Sequence, residues 1–213
     1  MNFFGHAWLA SQRRPDSAFV FGAMLPDLAA MVRLRVEHVA HAVAADGRRF
    51  HLATDAAFHR SERFGVLVSA STRALREAGL RPGPARAIGH VGVELLFDGW
   101  LAERHGVPAL YDAALALGPA LLPAVSFRSR ADAAPLETLC TRIRGASLPP
   151  AAWCEPERLA ARLARILAAR PRLALEAREL PAVRGWAARA RGGVAREAPA
   201  LLDGVHRELA ALG

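Results

Sequence analysis

Lysine is absent from this chain of 213 residues, so all 28 basic side chains in its Lys plus Arg total are arginine. Such a bias, beside so much alanine, accompanies a GC-rich coding sequence. Cysteine is scarce as well. Cys140 and Cys154 show neither CxxC spacing nor a local pair of histidines, which argues against a zinc ribbon or a disulfide framework and fits a reducing cytoplasm. The opening MNFFGHAWLA lacks the positively charged start and long apolar core of a secretory signal, and its first basic residues, Arg13 and Arg14, come afterwards. The longest uncharged run, Ala113 to Phe127, contains Pro119 and Pro123 and is shorter than the roughly 20 residues a membrane span needs. No membrane span is expected. No internal repeat, low-complexity linker or long period-two alternation occurs either, which leaves one helical domain over residues 1–213 as the expectation.

What is there is charge of one sign. The net charge is +8, and from residue 142 onward 13 Arg stand against 7 Asp and Glu. An arginine-rich surface of that kind attracts nucleic acid, an anionic membrane or an acidic protein, chiefly by raising local concentration and on-rate. It is equally what the solvated faces of amphipathic helices look like. No recognisable nucleic-acid recognition motif accompanies it.

Alanine and leucine dominate and β-branched residues are scattered, so the chain reads as all-α throughout. The pattern predicts a short helix over Phe3 to Ser11. A second runs from Ser17 to about Val32, with Pro26 kinking it or restarting it at Asp27. A long helix is expected from Arg48 to Ala78, stopped by Gly79, and another from the RPGP at 81–84 to about His105. A proline-broken apolar region follows over 106–126, then amphipathic helices near 131–144, 155–169, 172–191 and 194–212.

Two of these segments carry metal-binding side chains at four-residue steps. His51, Asp55 and His59 lie in FHLATDAAFHRSE, and His90, Glu94 and Asp98 in GHVGVELLFDGW. Residues four apart on a helix are about 40° apart around its axis, so each trio forms a polar stripe on an otherwise apolar helix. Burying such groups unpaired costs several kcal/mol each. A shared cation between facing stripes removes that cost, which predicts that His51, Asp55, Glu94 and Asp98 converge on one or two ions. His6 and Asp27 also stand in apolar settings, FFGHAWLA and FGAMLPDLAAM. A lone buried histidine is often only a satisfied core residue, and Asp27 after a proline reads equally as a helix N-cap. Carboxylate and imidazole without thiolate suit Mn, Mg, Fe or Zn catalysis rather than a closed structural zinc site.

Several of these stretches resemble, in order along the chain, the acyl carrier protein phosphodiesterase family, helical metal-dependent enzymes related to the HD-domain phosphohydrolases. MNFFGHAWLA is similar to that family's MNFLAHLxLA start. FGAMLPDLAAMV resembles its GNLLADFV segment and FHLATD its HRxID segment, while VGVELLFDGWLA resembles its DxxxDHFLA pattern and AARPRLAL an RRPRL stretch. The resemblance makes Asp27, His51, Asp55, Glu94 and Asp98 counterparts of family motif positions. The chain also departs from the pattern: Leu52 stands where the family has arginine, Phe58 and His59 replace a TD pair, Gly99 replaces the histidine of a DH pair, and His90 is an addition.

The resemblance implies an HD-domain-like helical fold. It also implies a divalent-metal-dependent phosphoric diester hydrolase that releases 4′-phosphopantetheine from holo acyl carrier protein, with Mn the expected metal. On that reading Asp27, His51, Asp55 and Asp98 serve metal or water activation, with Asp27, His51 and Asp55 the catalytic set. His6 and Glu94 act as supporting ligands, and His59 and His90 are further candidates for metal. Acyl carrier protein is acidic, so the arginine-rich tail is a suitable docking surface. The alternatives are a related hydrolase with another phosphoester or ester substrate, and a non-catalytic helical protein that binds an acidic partner.

Overall fold

The computed structural model describes residues 1–128, 132–146 and 149–211. In chain order it contains α1 (Phe3–Arg13), α2 (Ser17–Met31), β1 (Val36–Val39), α3 (Ala42–Arg60), α4 (Glu62–Glu77), α5 (Pro82–His105), α6 (Ala109–Leu121), β2 (Val125–Phe127), α7 (Ala134–Gly145), α8 (Pro156–Ala168) and α9 (Leu180–Ala210). Short 3-10 turns occupy Leu122–Ala124, Pro150–Cys154 and Ala177–Glu179. The protein is all-α. Among the described residues no helix is long and apolar enough to cross a membrane. The chain forms two compact units, one from Met1–Ala56 with Gly106–Ser147 and the other from Ala57–His105 with Leu148–Gly213.

In the first unit, α2 is the central element and packs against α1, α6 and α7. Its stretch from Ala18 to Leu25 is buried without interruption, as expected of a helix that is apolar all round. Asp16 starts it, accepting hydrogen bonds from the backbone N–H groups of Ala18 and Phe19. Pro26 neither ends nor restarts it: Ser17–Met31 is one helix with the proline inside. Asp27 therefore lies well within the helix, which overturns the N-cap reading. The all-helical expectation also missed a small antiparallel pair, β1 with β2, in which Val36 faces Phe127 and Val39 faces Val125. Strands of four and three residues, paired across the sequence, leave no local periodic signal to read.

α2 and α3 cross at very short range. A Cβ on Gly22 would stand 2.0 Å from the carbonyl oxygen of Ala44, and one on Gly47 would stand 2.0 Å from that of Phe19. Only glycine allows the two backbones this close. The crossing sets His51, one turn beyond Gly47, against the carbonyl face of α2.

In the second unit α5 is central and packs against α4, α8, α9 and the Pro150–Cys154 turn. The segment from Gly92 to Gly99 is buried along its length, Glu94 and Asp98 included. Trp186 of α9 lies over Gly92, where a Cβ would meet the indole at 2.3 Å. The long helix expected over 48–78 is instead two: Ser61 is extended (φ −62°, ψ 125°), and α4 begins at Glu62. In place of the helices expected at 172–191 and 194–212 there is one continuous α9, which begins only at Leu180 and ends at Ala210. Gly192 and Gly193 do not break it. Two mid-helix glycines cost roughly 1 kcal/mol each, whereas the buried seam of Val183, Trp186, Ala187, Val194, Ala198, Leu201 and Val205 runs straight through them. Arg81 ties down the approach to α9 by a two-armed contact with Glu179 and a further bond to the carbonyl of Ala174.

Candidate functional site

The first unit brings His6 of α1, Asp27 of α2 and His51 of α3 together. One ligand atom from each lies within 4.8 Å of the other two. His6 is fully buried and His51 nearly so, and their rings are 3.9 Å apart between centroids. Each ring is held by its Nδ1. His51 donates from Nδ1 to the carbonyl oxygen of Ala23 at 2.9 Å, which leaves the Nε2 lone pair for a ligand.

His6 Nδ1 is 2.8 Å from the hydroxyl of Thr54. That hydroxyl has one proton and stands 3.0 Å from the carbonyl of Phe50 and 2.9 Å from that of His51. A carbonyl can only accept, so the Thr54 proton goes there and the hydroxyl oxygen accepts from His6 Nδ1. His6 then also presents an Nε2 lone pair. Sequence reasoning missed Thr54. Its one signal is its place three residues after His51, on the same helical face.

His6 Nε2 is 3.9 Å from Asp27 Oδ2 and 3.8 Å from Asp55 Oδ1. Those separations are too long for hydrogen bonds. They are within the span of two ligands on opposite sides of one cation, about 4.2 Å for bonds near 2.1 Å. His6 Nε2 and Asp27 Oδ2 are both shut off from solvent, while the Asp55 side chain is 39% exposed. Burial lowers the pKa of His51 below its ordinary value, against the opposing hydrogen bond to Ala23. The ring is therefore neutral near pH 7, the form that ligates metal.

The second unit brings together His59 of α3 with His90 and Glu94 of α5, again within 4.8 Å. His59 Nε2 is 2.9 Å from Glu94 Oε1 and 3.2 Å from His90 Nε2, and His90 Nε2 is 3.2 Å from Glu94 Oε1. The two imidazoles are stacked at 5.0 Å with planes 7° apart, and Phe64 sets an edge against each. Desolvation pushes the Glu94 carboxyl up, but the hydrogen bonds to His59 and His90 outweigh it and bring its pKa down to about 2. Glu94 is thus an anion in a nearly closed setting.

His51 goes with His6 and Asp27, with Asp55 beside them, and Glu94 goes with His59 and His90. Asp98, 3% exposed one turn beyond Glu94, belongs to neither trio. Of the positions that differ from the motifs of the resembled family, Leu52 is 57% exposed. At Gly99 a Cβ would lie 2.0 Å from Cys154 Sγ, so the thiol occupies the place a histidine there would need.

Both trios combine imidazole nitrogen with carboxylate oxygen, donors that could hold a divalent metal, and offer fewer protein ligands than a closed site uses. Beside the first, a cleft of about 390 Å³ is lined by Pro26 and Leu52, the chain neighbours of Asp27 and His51, and by Arg35, Arg48 and Arg128. No family model matches the chain, and no curated protein or solved structure does so either.

Proposed function

We propose that the protein is a divalent-metal-dependent hydrolase of phosphoesters, with holo acyl carrier protein as the substrate to try first. The observation that carries this reading is the orientation of His6 and His51. Both imidazoles give up Nδ1 to a hydrogen bond, with Thr54 and with the carbonyl of Ala23, which leaves Nε2 of each as the atom it would offer to a cation shared with Asp27. A merely packed core histidine has no need of that arrangement.

His6, Asp27 and His51 would hold the cation; Mn is the metal the family resemblance implies, while two imidazoles and one carboxylate equally suit Fe, Co, Ni or Zn. When bound, a divalent metal polarises a phosphoryl oxygen and lowers the pKa of a coordinated water. Asp55, part-exposed and 3.8 Å from His6, would be the general base for the attacking water. Arg35, Arg48 and Arg128, against the one acid Glu37, leave the neighbouring cleft with a surplus of positive charge suited to an anionic substrate.

The competing reading, a helical protein that binds an acidic partner without catalysis, is favoured by one observation. Cys154 fills the space in which the resembled family carries a histidine. The test is conversion of holo acyl carrier protein to its apo form by purified protein with Mn, for the wild type and for Asp27→Asn. Metal-dependent conversion that Asp27→Asn abolishes, with helicity unchanged, supports the hydrolase. Metal binding without conversion points to another phosphoester or ester. Neither conversion nor metal binding favours the binding protein.

A further inference from the structure

We propose that His59, His90 and Glu94 form a second metal centre, a two-histidine, one-carboxylate site that takes a borderline transition-metal ion through one face. It uses none of the residues assigned to the hydrolytic site and does not depend on that reading.

The first argument is distance. Two ligands at right angles on a cation with bonds near 2.1 Å stand about 3.0 Å apart. The three separations among His59 Nε2, His90 Nε2 and Glu94 Oε1 are 2.9, 3.2 and 3.2 Å. All three edges of the triangle therefore match one face of an octahedron, and a single ion above it reaches every corner.

Next comes orientation. His90 and Glu94 are one turn apart on α5, and His59 comes from the last turn of α3, so two separate helices fix the triangle. The stacked rings are braced by the edge of Phe64, at 5.1 Å from His59 and 5.2 Å from His90, and Phe58 stands edge-on to His59. Aromatic contacts of this kind lock rotamers that a flexible surface pair would not keep. Hydrogen bonding alone accounts less well for the geometry. If both Nε2 atoms donate to the same Glu94 oxygen, two N–H dipoles lie side by side 3.2 Å apart; a cation in their place turns that repulsion into three ligand bonds.

Donor type sets the class of ion. Two imidazole nitrogens and one carboxylate suit Fe(II), Co(II), Ni(II) or Zn(II) rather than Ca or Mg, which prefer oxygen throughout. The histidine side chains are 30% and 44% exposed, so solvent or a small ligand reaches the remaining coordination positions.

Cobalt(II) is the probe. The full chain, stripped with chelator and dialysed, is titrated with Co(II) alone and followed by its visible d–d absorption, for wild type, His90→Asn, Glu94→Gln and Asp27→Asn. Helical circular dichroism confirms that each is folded; His90 is exposed enough for its replacement to leave no core cavity. The expected result is a Co(II) band assigned to the trio that survives in Asp27→Asn and falls at least tenfold in affinity in both His90→Asn and Glu94→Gln. A folded His90→Asn and Glu94→Gln pair that binds Co(II) with wild-type affinity and spectrum overturns the proposal. Because Asp27→Asn is the variant that disables the hydrolase, loss of acyl carrier protein conversion with the trio's cobalt band intact separates the two readings.

Discussion

His51 and Ala23 are joined by a hydrogen bond of 2.9 Å between an imidazole on α3 and a backbone carbonyl on α2. The bond exists because Gly22 and Gly47 let the two helices cross without side chains between them. Gly47→Ala would put a methyl group 2.0 Å from the carbonyl of Phe19, so the helices must part or bend. Overpacking of this kind costs about 1–3 kcal/mol. The expected outcome is a lower urea midpoint together with weaker Mn binding, since His51 loses its anchor. Wild-type Mn affinity in Gly47→Ala would show that the crossing does not position the ligand.

Thr54→Val tests the other imidazole. Valine keeps the shape of threonine but cannot accept from His6 Nδ1, which is 2.8 Å away and fully buried. The loss of a buried partner costs about 1–3 kcal/mol of stability. Removing a bond that orients a metal ligand typically weakens metal binding 10–100-fold. Isothermal titration with Mn reads the second effect, and Thr54→Ser, which keeps the hydroxyl, is expected to stay close to wild type. Equal affinity in the valine variant would return His6 to the status of a core residue.

Arg33 and Gly79 occupy the same place in the same kind of helix ending. After α4, the N–H of Gly79 bonds to the carbonyl of Arg76 and that of Leu80 to Leu75, with Gly79 at φ +91°. After α2, Arg33 bonds to Ala30 and Leu34 to Ala29, but the residue with positive φ, +62°, is arginine. Left-handed backbone is strained for a residue with a Cβ. Arg33→Gly is therefore expected to stabilise the protein by about 0.5–1 kcal/mol, measured by denaturant unfolding. No gain would mean that the turn absorbs the arginine without strain.

The same pair shows what can be read from the chain and what cannot. The end of α4 was legible because glycine marked it; the end of α2, expected at about Val32 and found at Met31, was read without one, and what stayed hidden is the left-handed backbone at Arg33. The inward face of α8 is plain in the spacing of Leu159, Ala160, Leu163 and Leu167. Periodicity likewise placed His51, Asp55 and His59 on one face. It tells which residues share a face, never what packs opposite. The pairing of His51 with His6 and Asp27 therefore had to come from the fold. Thr54 was hidden for another reason: a threonine inside a helix bonds routinely to a carbonyl one turn back, so nothing in the sequence separates the one that also holds a ligand.

Acid should reveal the contact between Arg81 and Glu179. Arg81 holds the Glu179 carboxylate by hydrogen bonds, and these outweigh burial to lower its pKa to about 2 from an ordinary value of 4.5. A depressed folded pKa means stability that is present above the unfolded pKa and lost as pH falls from about 4.5 toward 2. Glu179→Gln cannot titrate. The difference in unfolding midpoint between wild type and Glu179→Gln is expected to be largest at pH 5 and above and to shrink steadily by pH 2.5. A difference that does not change with pH would mean that the ion pair contributes no proton-linked stability.

Docking of an acidic partner is the last matter to test, and α9 offers the surface for it. Arg189, Arg196 and Arg207 are exposed, and spacings of seven and eleven residues set them along one side of the helix. Among the described residues none of the three takes part in a salt bridge, whereas Arg191 is engaged by Glu103. If the protein acts on holo acyl carrier protein, changing the three to glutamate should slow conversion at low salt by lowering the rate of encounter. The penalty should fade as salt rises, because charges are screened beyond a Debye length of about 8 Å at physiological ionic strength. The discriminating quantity is kcat/KM against salt, with kcat as the internal control: steering moves the former and leaves the latter. A loss of equal size at every salt concentration would place these arginines in direct short-range contact with the substrate rather than in long-range attraction, and no loss at any salt would remove α9 from substrate recognition.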